Sequence, residues 1–402
     1  MIRYFTAGES HGPALTAIVE GLPAGIAITQ KEIDNQLARR QQGYGRGGRM
    51  QIECDKVDVL SGIRFGRTIG SPVTLIISNR DWENWTTIMS VMEKPAGETA
   101  TITVPRPGHA DLAGRIKFGL DDIRPVIERA SARETAARVA ACSLSRVLLR
   151  TLGIEIGSYV SVIGPAGEPG NNPVVARKLA EGAESLAALA DRSPVRMLDK
   201  SAEAEAMAAI DRAKQQGDTL GGVIELFITG VPMGFGNYVQ HDRRLDAELV
   251  AALVSIQAIK GAEIGHAFDN ARKPGSNVHD EFDLAPAEGL KRVSNRAGGV
   301  EGGMSNGESI HLRAAMKPIS SLVSPLRSFD LETLRHTPAR FERSDTCAVP
   351  AAGVVAEAVV APVIANALLE KLGGDHIEEI RERLEAWKQH LRELFSGVNQ
   401  TR

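Results

Sequence analysis

Residues 2–7 and 14–20 are rich in β-forming apolar side chains and flank Gly8-Glu9-Ser10-His11-Gly12, which predicts strand–loop–strand. A turn follows at 21–25, Gly-Leu-Pro-Ala-Gly. Thr29 and Glu32 then stand at capping-box spacing ahead of a helix through Ile33 and Leu37. Residues 57–78 read as short strands punctuated by glycines. Ser131 and Glu134 form a second capping-box pattern, predicting a long Ala/Val/Leu helix that ends near Gly153. The tail "DHIEEIRERLEAWKQHLRELF" reads as an amphipathic helix that packs outside the core or against another subunit.

The second half repeats signals of the first in the same order. "GLPAG" at 21–25 returns as "GVPMG" at 230–234, and "GIRFGRTIGSPVTL" (62–75) aligns with "GVEGGMSNGESIHL" (299–312). "ERAS" at 128–131 and the "ERSD" ending at 345 each lead into an Ala/Val helix. This order predicts an internal duplication within one compact body, with pseudo-symmetric halves of about 1–153 and 218–374. Residues 154–217 read as an inserted element and about 375–396 as a C-terminal helix.

Composition narrows the function classes. The 402 residues are 43% hydrophobic and 24% charged with a formal net charge of −3, which argues against a general nucleic-acid binder. Aromatics are only 4%, so the core must rely on Ala, Val, Leu and Ile. The start of the chain carries no signal-peptide stretch, and no apolar run is read as membrane-spanning, so a cytoplasmic protein without membrane contact is expected. Cys54, Cys142 and Cys347 lie far apart, which speaks against a disulfide framework or a zinc site. Histidines show no metal-ligand spacing, and no metal is expected.

Charge is unevenly placed. "RRQQGYGRGGR" (39–49) carries four arginines and no acid, which suits a small polyanion better than a solvated loop. The GESHG turn fits the G-x-S-x-G pattern of hydrolase nucleophiles, but it begins at residue 8 with no earlier strands, and a strand rather than a helix follows it. Its glycines instead allow close backbone approach to a ligand, with Ser10 and His11 aimed at it. "PRPGHAD" (105–111) supplies a second glycine-flanked histidine, His109, beside Arg106. Arg129, Ser131 and Arg133 sit at a helix start, where unpaired N–H groups favour an anion. Arg343 and Asp345 occupy the corresponding place in the second half, and Lys317 with two hydroxyls follows a strand in "MKPISS". These residues describe an enzyme that binds multiply anionic small molecules and uses two histidines for proton transfer. An esterase acting through Ser10 and an anion- or nucleotide-binding regulator with an RGG-like loop are the competing classes.

Taken together, GESHG, "RRQQGYGRGGRM", "RPGHAD", "ERASARETAARVA", "SIQAIKGAEIG", "MKPISS" and "RSDTCAVPAAGVVAEAVVA" resemble the chorismate synthase family in sequence, order and spacing, from residue 2 to about 374. Ala130 departs from the serine common in relatives. The resemblance implies an α+β fold, a single β-α-β layered sandwich with antiparallel sheets around helices. It implies a carbon–oxygen lyase that makes chorismate from 5-enolpyruvylshikimate 3-phosphate by anti-1,4-elimination of phosphate and a ring proton, the last common step of the shikimate pathway. Reduced FMN is the implied cofactor, with NADPH as a source of reductant. The implied partners are an external flavin reductant or reductase and further copies of the chain in a homotetramer.

By the same resemblance His11 protonates the leaving phosphate, His109 balances charge near flavin N1, and Asp345 supports flavin N5 as the ring proton is removed. Substrate falls to Ser10, Arg40, Arg46, Arg49, Arg106 and Arg133, and NADP to Arg40 and Arg46. The flavin falls to Arg129, Ala130, Ser131, Gln257, Ala258, Gly302, Lys317, Pro318, Ile319, Ser320, Ser321 and Arg343.

Overall fold

The computed structural model describes residues 1–48, 53–92, 101–170, 172–285 and 289–396. The first sheet contains β1 (Arg3–Ala7), β2 (Ala14–Glu20), β3 (Asp58–Val59) and a later strand, with helix α1 (Gln30–Gln41) between β2 and β3. A short hairpin, β4 (Ile63–Arg64) and β5 (Arg67–Thr68), precedes that last strand, β6 (Val73–Ser78). The order is β1-β2-β6-β3, antiparallel throughout. Thr29 caps α1 as the spacing predicts: its side chain accepts from Glu32 N–H while the Glu32 carboxylate accepts from Thr29 N–H.

Helices α2 (Asp111–Phe118) and α3 (Arg124–Arg129) lead into α4 (Thr135–Thr151). The second capping box does not form. Ser131 caps only a 3-10 turn over 132–134, and Glu134 turns its carboxylate to Thr6 and Gln257 instead. Tertiary hydrogen bonds thus win over the local one.

The second sheet is built from β7 (Glu155–Ile163), β8 (Gly222–Thr229), β9 (Ile259–Ile264) and β14 (Ile310–Met316). Between β7 and β8 lie α5 (Pro173–Ala180), α6 (Ala183–Ala190) and α7 (Lys200–Gln216), and α8 (Leu245–Val254) precedes β9. The ribbon β10 (Phe282–Ala285)–β11 (Gly289–Arg292) and the hairpin β12 (Val300–Glu301)–β13 (Met304–Ser305) fill the step to β14. The order is β7-β8-β14-β9, again antiparallel. Each sheet therefore places its first, second, fourth and third strands side by side, with a helix between the second and third and a hairpin before the fourth. The expectation that 154–217 stands apart as an insertion needs correction, because its first part, β7, pairs along β8. Only α5–α7 lie between those two strands, and α6 packs on β7.

Helices α4 and α9 (Val349–Leu372) pack against each other, α4 on strands β1, β2 and β6, α9 on strands β7 and β8. Leu15, Val19, Val73, Leu75, Leu144, Leu148, Ile224, Leu226, Ile310, Leu312, Val355 and Ile364 join in one buried cluster. Burying these aliphatic faces is the main driving force for the architecture. By length and composition α9 could cross a membrane, contrary to the sequence expectation of no such run, but most of it is buried between the sheets. The tail helix α10 (Ile377–Ser396) is not wholly outside the core: Ile377, Ile380 and Leu384 join the main cluster, and Trp387 Nε1 donates to Met233 O at 3.0 Å.

Candidate active site

The turn between β1 and β2 is shaped by Gly8, which adopts φ +104°; a Cβ there would lie 2.3 Å from Ala14 O. Asn79, at the end of β6, donates to Gly12 O at 2.8 Å and Glu9 O at 3.2 Å. Ser10 is buried: its N–H donates to Glu128 O at 3.1 Å, and its Oγ accepts from Ser131 Oγ at 3.1 Å. Strand β2 follows the turn directly, so the strand–turn–helix context of a nucleophile elbow is not present here. The His11 ring stacks on Trp85, with centroids 3.9 Å apart and planes 22° apart. Its Nδ1 lies 2.9 and 3.0 Å from the two carboxylate oxygens of Glu128.

His109 follows the same scheme on a different loop. Its Nδ1 is 2.5 Å from Asp111 Oδ1, and Asp111 also accepts from Arg106 Nε at 2.8 Å, from Arg106 Nη2 at 3.0 Å and from Arg106 N–H at 3.0 Å. Both carboxylates are wholly buried. Burial alone would raise them; hydrogen bonds and charge from His109 and Arg106 hold Asp111 well below the usual carboxylate range, and His11 with Arg124 lowers Glu128. Each histidine is thus backed by an ionised acid that itself has an arginine partner.

The arginines divide into two groups. Arg40 and Arg133 are buried and share Asp55, each at 2.5 Å, and Arg133 also donates to Asn79 Oδ1 at 2.8 and 3.0 Å. Burial, together with the nearby Arg133 and Arg46 charges and against the pull of Asp55, pushes the Arg40 guanidinium down to about 10. Arg46 pairs with Asp345 at 3.2 Å, and Asp345 Oδ1 accepts the Gly47 N–H at 2.7 Å. Arg39 faces the other way, into an ion cluster with Asp191 and Glu357. The four-arginine run is therefore not one patch: Arg39 holds the fold, Arg40 and Arg46 turn towards Asp55 and Asp345, and Arg49 lies outside the described residues. A cavity of about 240 Å³ beside this run is lined by Gln42, Gly43, Asp191–Pro194 and Arg196, and by none of the residues expected to bind substrate.

Lys317 links two of the expected flavin segments, and most of the others contact neighbouring residues of the site. Lys317 N–H donates to Ala258 O at 2.9 Å, and Gln257 Nε2 donates to Glu134 Oε2 at 3.1 Å. Arg106 Nη1 donates to Ser321 Oγ at 3.0 Å, and Ser344 Oγ donates to Ser321 O at 3.0 Å. Pro318 accepts from Lys317 Nζ, Ile319 O accepts from Thr219 Oγ1, and Ser320 lies beside Gly108. Burial, with repulsion from Lys260, lowers the Lys317 ammonium. Ala130 ends α3, and Arg129 reaches back to Thr6 O and Gly8 O. Arg343 is exposed beside Ser344. Gly302 does not join them. It forms the tip of β12–β13 at the start of β14, whereas Lys317 follows the end of that strand, roughly 20 Å away at the usual strand rise.

Sequence reasoning missed the groups that support the histidines. Glu128 and Asp111 lie inside "ERASARE" and "RPGHAD", yet an acid beside arginines reads as solvated until its burial is known. Asp55, Asn79 and Trp85 carried no signal of their own. Among the described residues no group of three or more His, Cys, Asp or Glu is placed to hold a metal ion.

The fold brings together two histidines, each set against a buried carboxylate, and a group of buried arginines, an arrangement suited to an enzyme. A family model described as chorismate synthase matches residues 2–369. The chorismate synthase of Chlorobium limicola is 75% identical over 397 residues, covering 99% of this chain and all of the relative. That of Chlorobaculum tepidum is 71% identical over 395 residues, covering 98% and 100%. A crystal structure of chorismate synthase, 40% identical, superposes with a TM-score of 0.77 over 98% of both chains. The chain belongs to the chorismate synthase family, and its activity is that lyase reaction, in aromatic amino-acid biosynthesis.

Proposed function

We propose that the paired His–carboxylate sites serve an anti-1,4-elimination on 5-enolpyruvylshikimate 3-phosphate, His11 in proton transfer and His109 in charge balance. The C–O bond to phosphate breaks with its electron pair and a ring C–H bond breaks; the C–H pair forms one new double bond while the existing ring double bond shifts to the carbon that phosphate leaves, so the overall reaction is redox-neutral. His11 gives a proton to the departing phosphate, and Arg40, Arg46, Arg49, Arg106 and Arg133 with Ser10 hold the phosphate and carboxylates. His109, backed by Asp111, carries balancing charge, and Asp345 assists removal of the ring proton. The observation that carries this reading is that each histidine rests on a buried, ionised carboxylate through Nδ1.

Residues 257–258 and 317–321, joined through Ala258 and Lys317, together with 129–131 and 343, fit reduced FMN. The Gln257 amide oxygen is buried with no partner among the described residues, an acceptor that a flavin ring N–H suits. Arg129, Lys317 and Arg343 supply cations for its phosphate. When bound, reduced FMN would supply transient electron density to the breaking C–O bond. Arg40 and Arg46 are the positions we assign to NADP(H), and an external reductant or reductase is the proposed source of reduced flavin.

Gly302, remote from the other flavin positions in one chain, would reach a flavin across a subunit contact, which supports a homo-oligomer; the family resemblance makes it a homotetramer. A cytoplasmic enzyme is consistent with the burial of α9. The shared strand order of the two sheets supports an internal duplication within a β-α-β sandwich. Phosphate release from 5-enolpyruvylshikimate 3-phosphate with FMN under dithionite tests the assignment. His11→Ala and His109→Ala are each expected to lower kcat by roughly 10²- to 10⁴-fold, the range for general acid–base help. Rates near those of the native protein would refute the roles given to these histidines.

A further inference from the structure

The His11 ring is held on three sides. Trp85 covers one face, and the Arg124 guanidinium stands over the same indole at 5.2 Å from its centre. The backbone of the turn is tied to Glu128 twice: Ser10 N–H donates to Glu128 O, and His11 N–H donates to Glu128 Oε2 at 2.8 Å. The Glu128 carboxylate meets Nδ1 with both oxygens, and Arg124 Nη1 adds a longer contact to Oε1 at 3.3 Å. Among the described residues Nε2 has no partner. A buried carboxylate has no proton to give and can only accept, so the proton between Glu128 and His11 belongs on Nδ1.

We infer that Glu128 is a positioning residue that fixes the Nδ1–H form of His11 and leaves Nε2 as the atom that transfers a proton. This rests on the reading of His11 as the acid. A plain counter-ion for Arg124 is the weaker description of Glu128, since its three contacts to His11 are all shorter than the one to Arg124. The charged groups around the pair are Glu9 in the same turn, Arg124 and Arg129 on α3, Arg133 after it, and Asp81 bonded to Trp85 Nε1. Glu342, 4.0 Å from Arg124, completes the set from the segment before α9.

Glu128→Gln keeps the shape and removes the charge. With FMN under dithionite, kcat is expected to fall by roughly 10²- to 10⁴-fold, the scale of losing a correctly oriented proton donor. Substrate KM changes little. A second readout needs no turnover: ¹⁵N NMR of histidine-labelled protein, with the His11 signals assigned by their loss in His11→Gln. The native neutral ring shows Nδ1 protonated, and Glu128→Gln shows a mixture of tautomers. Glu128→Asp keeps the charge one methylene further back, so it retains the Nδ1–H form and loses part of kcat. A native ring protonated at Nε2, or ¹⁵N shifts unchanged in Glu128→Gln, overturns the inference. Changed ¹⁵N shifts with native kcat uphold Glu128 as the group that sets the tautomer and overturn the assignment of His11 as the acid instead.

Discussion

Asp345 accepts the N–H of Gly47 at 2.7 Å, so the arginine loop of the first half is fastened by a residue near the end of the second. Its other oxygen faces Arg46 Nε. The Gly47 position suits this contact, since a Cβ there would come within 2.8 Å of Ser344 O. The arginine loop has its shape only when both halves are folded together.

Neighbouring arginines should therefore give opposite phenotypes. Arg46→Ala is expected to raise substrate KM by roughly 10- to 100-fold, the worth of one charged hydrogen bond, with thermal unfolding unchanged. Arg39→Ala removes one of three guanidiniums, with Arg146 and Arg196, that hold the buried Glu357, and should cost about 1.5–3 kcal/mol in urea unfolding with KM retained. Equal effects on KM would remove the distinction drawn here.

Asp55→Ala leaves two buried guanidiniums, Arg40 and Arg133, without their shared anion. We expect destabilisation of about 3–5 kcal/mol, measured by chemical denaturation. A change below about 1 kcal/mol would mean that water or another acid takes over.

The carboxyls of Asp55, Asp111, Glu128 and Glu357 are all held below their ordinary values of 3.8 for aspartate and 4.5 for glutamate: burial opposes this, and the partner arginines and histidines outweigh it. Their contribution to stability is complete above the unfolded values and is lost as pH falls through the folded ones. Tm should be level from pH 7 to about pH 5 and drop steadily below it. A Tm that stays flat to pH 3 contradicts this.

Gly8→Ala meets two obstacles at once, the φ of +104° and the 2.3 Å approach to Ala14 O. The turn must shift, taking His11 off Trp85 and Glu128. Turnover should fall at least tenfold, by roughly 1.4 kcal/mol or more in barrier height, while the sheet stays folded by circular dichroism. Wild-type turnover would show that the turn tolerates the shift.

Local signals were readable where the chain decides locally. The Thr29 box, the two strands around GESHG and the paired "GLPAG" and "GVPMG" turns lie where the pattern places them. Both aligned glycine segments become hairpins before a fourth strand. Misreadings arose where distant partners decide. Glu134 left its helix cap for Thr6 and Gln257, Arg39 turned away from its neighbours, and β7 joined a sheet whose next strand comes after three helices. The two histidines were visible through their glycines, but the acids behind them were not, because burial and ionisation are properties of the assembled core.

The mutual packing of α4 and α9 has a consequence for synthesis. The ribosome makes the GESHG turn and α4 well before α9, the helix that covers α4. Until then the nascent half exposes an oily Ala/Val/Leu surface, a stage at which chaperones would find something to hold. Catalytic competence should switch on late and all at once.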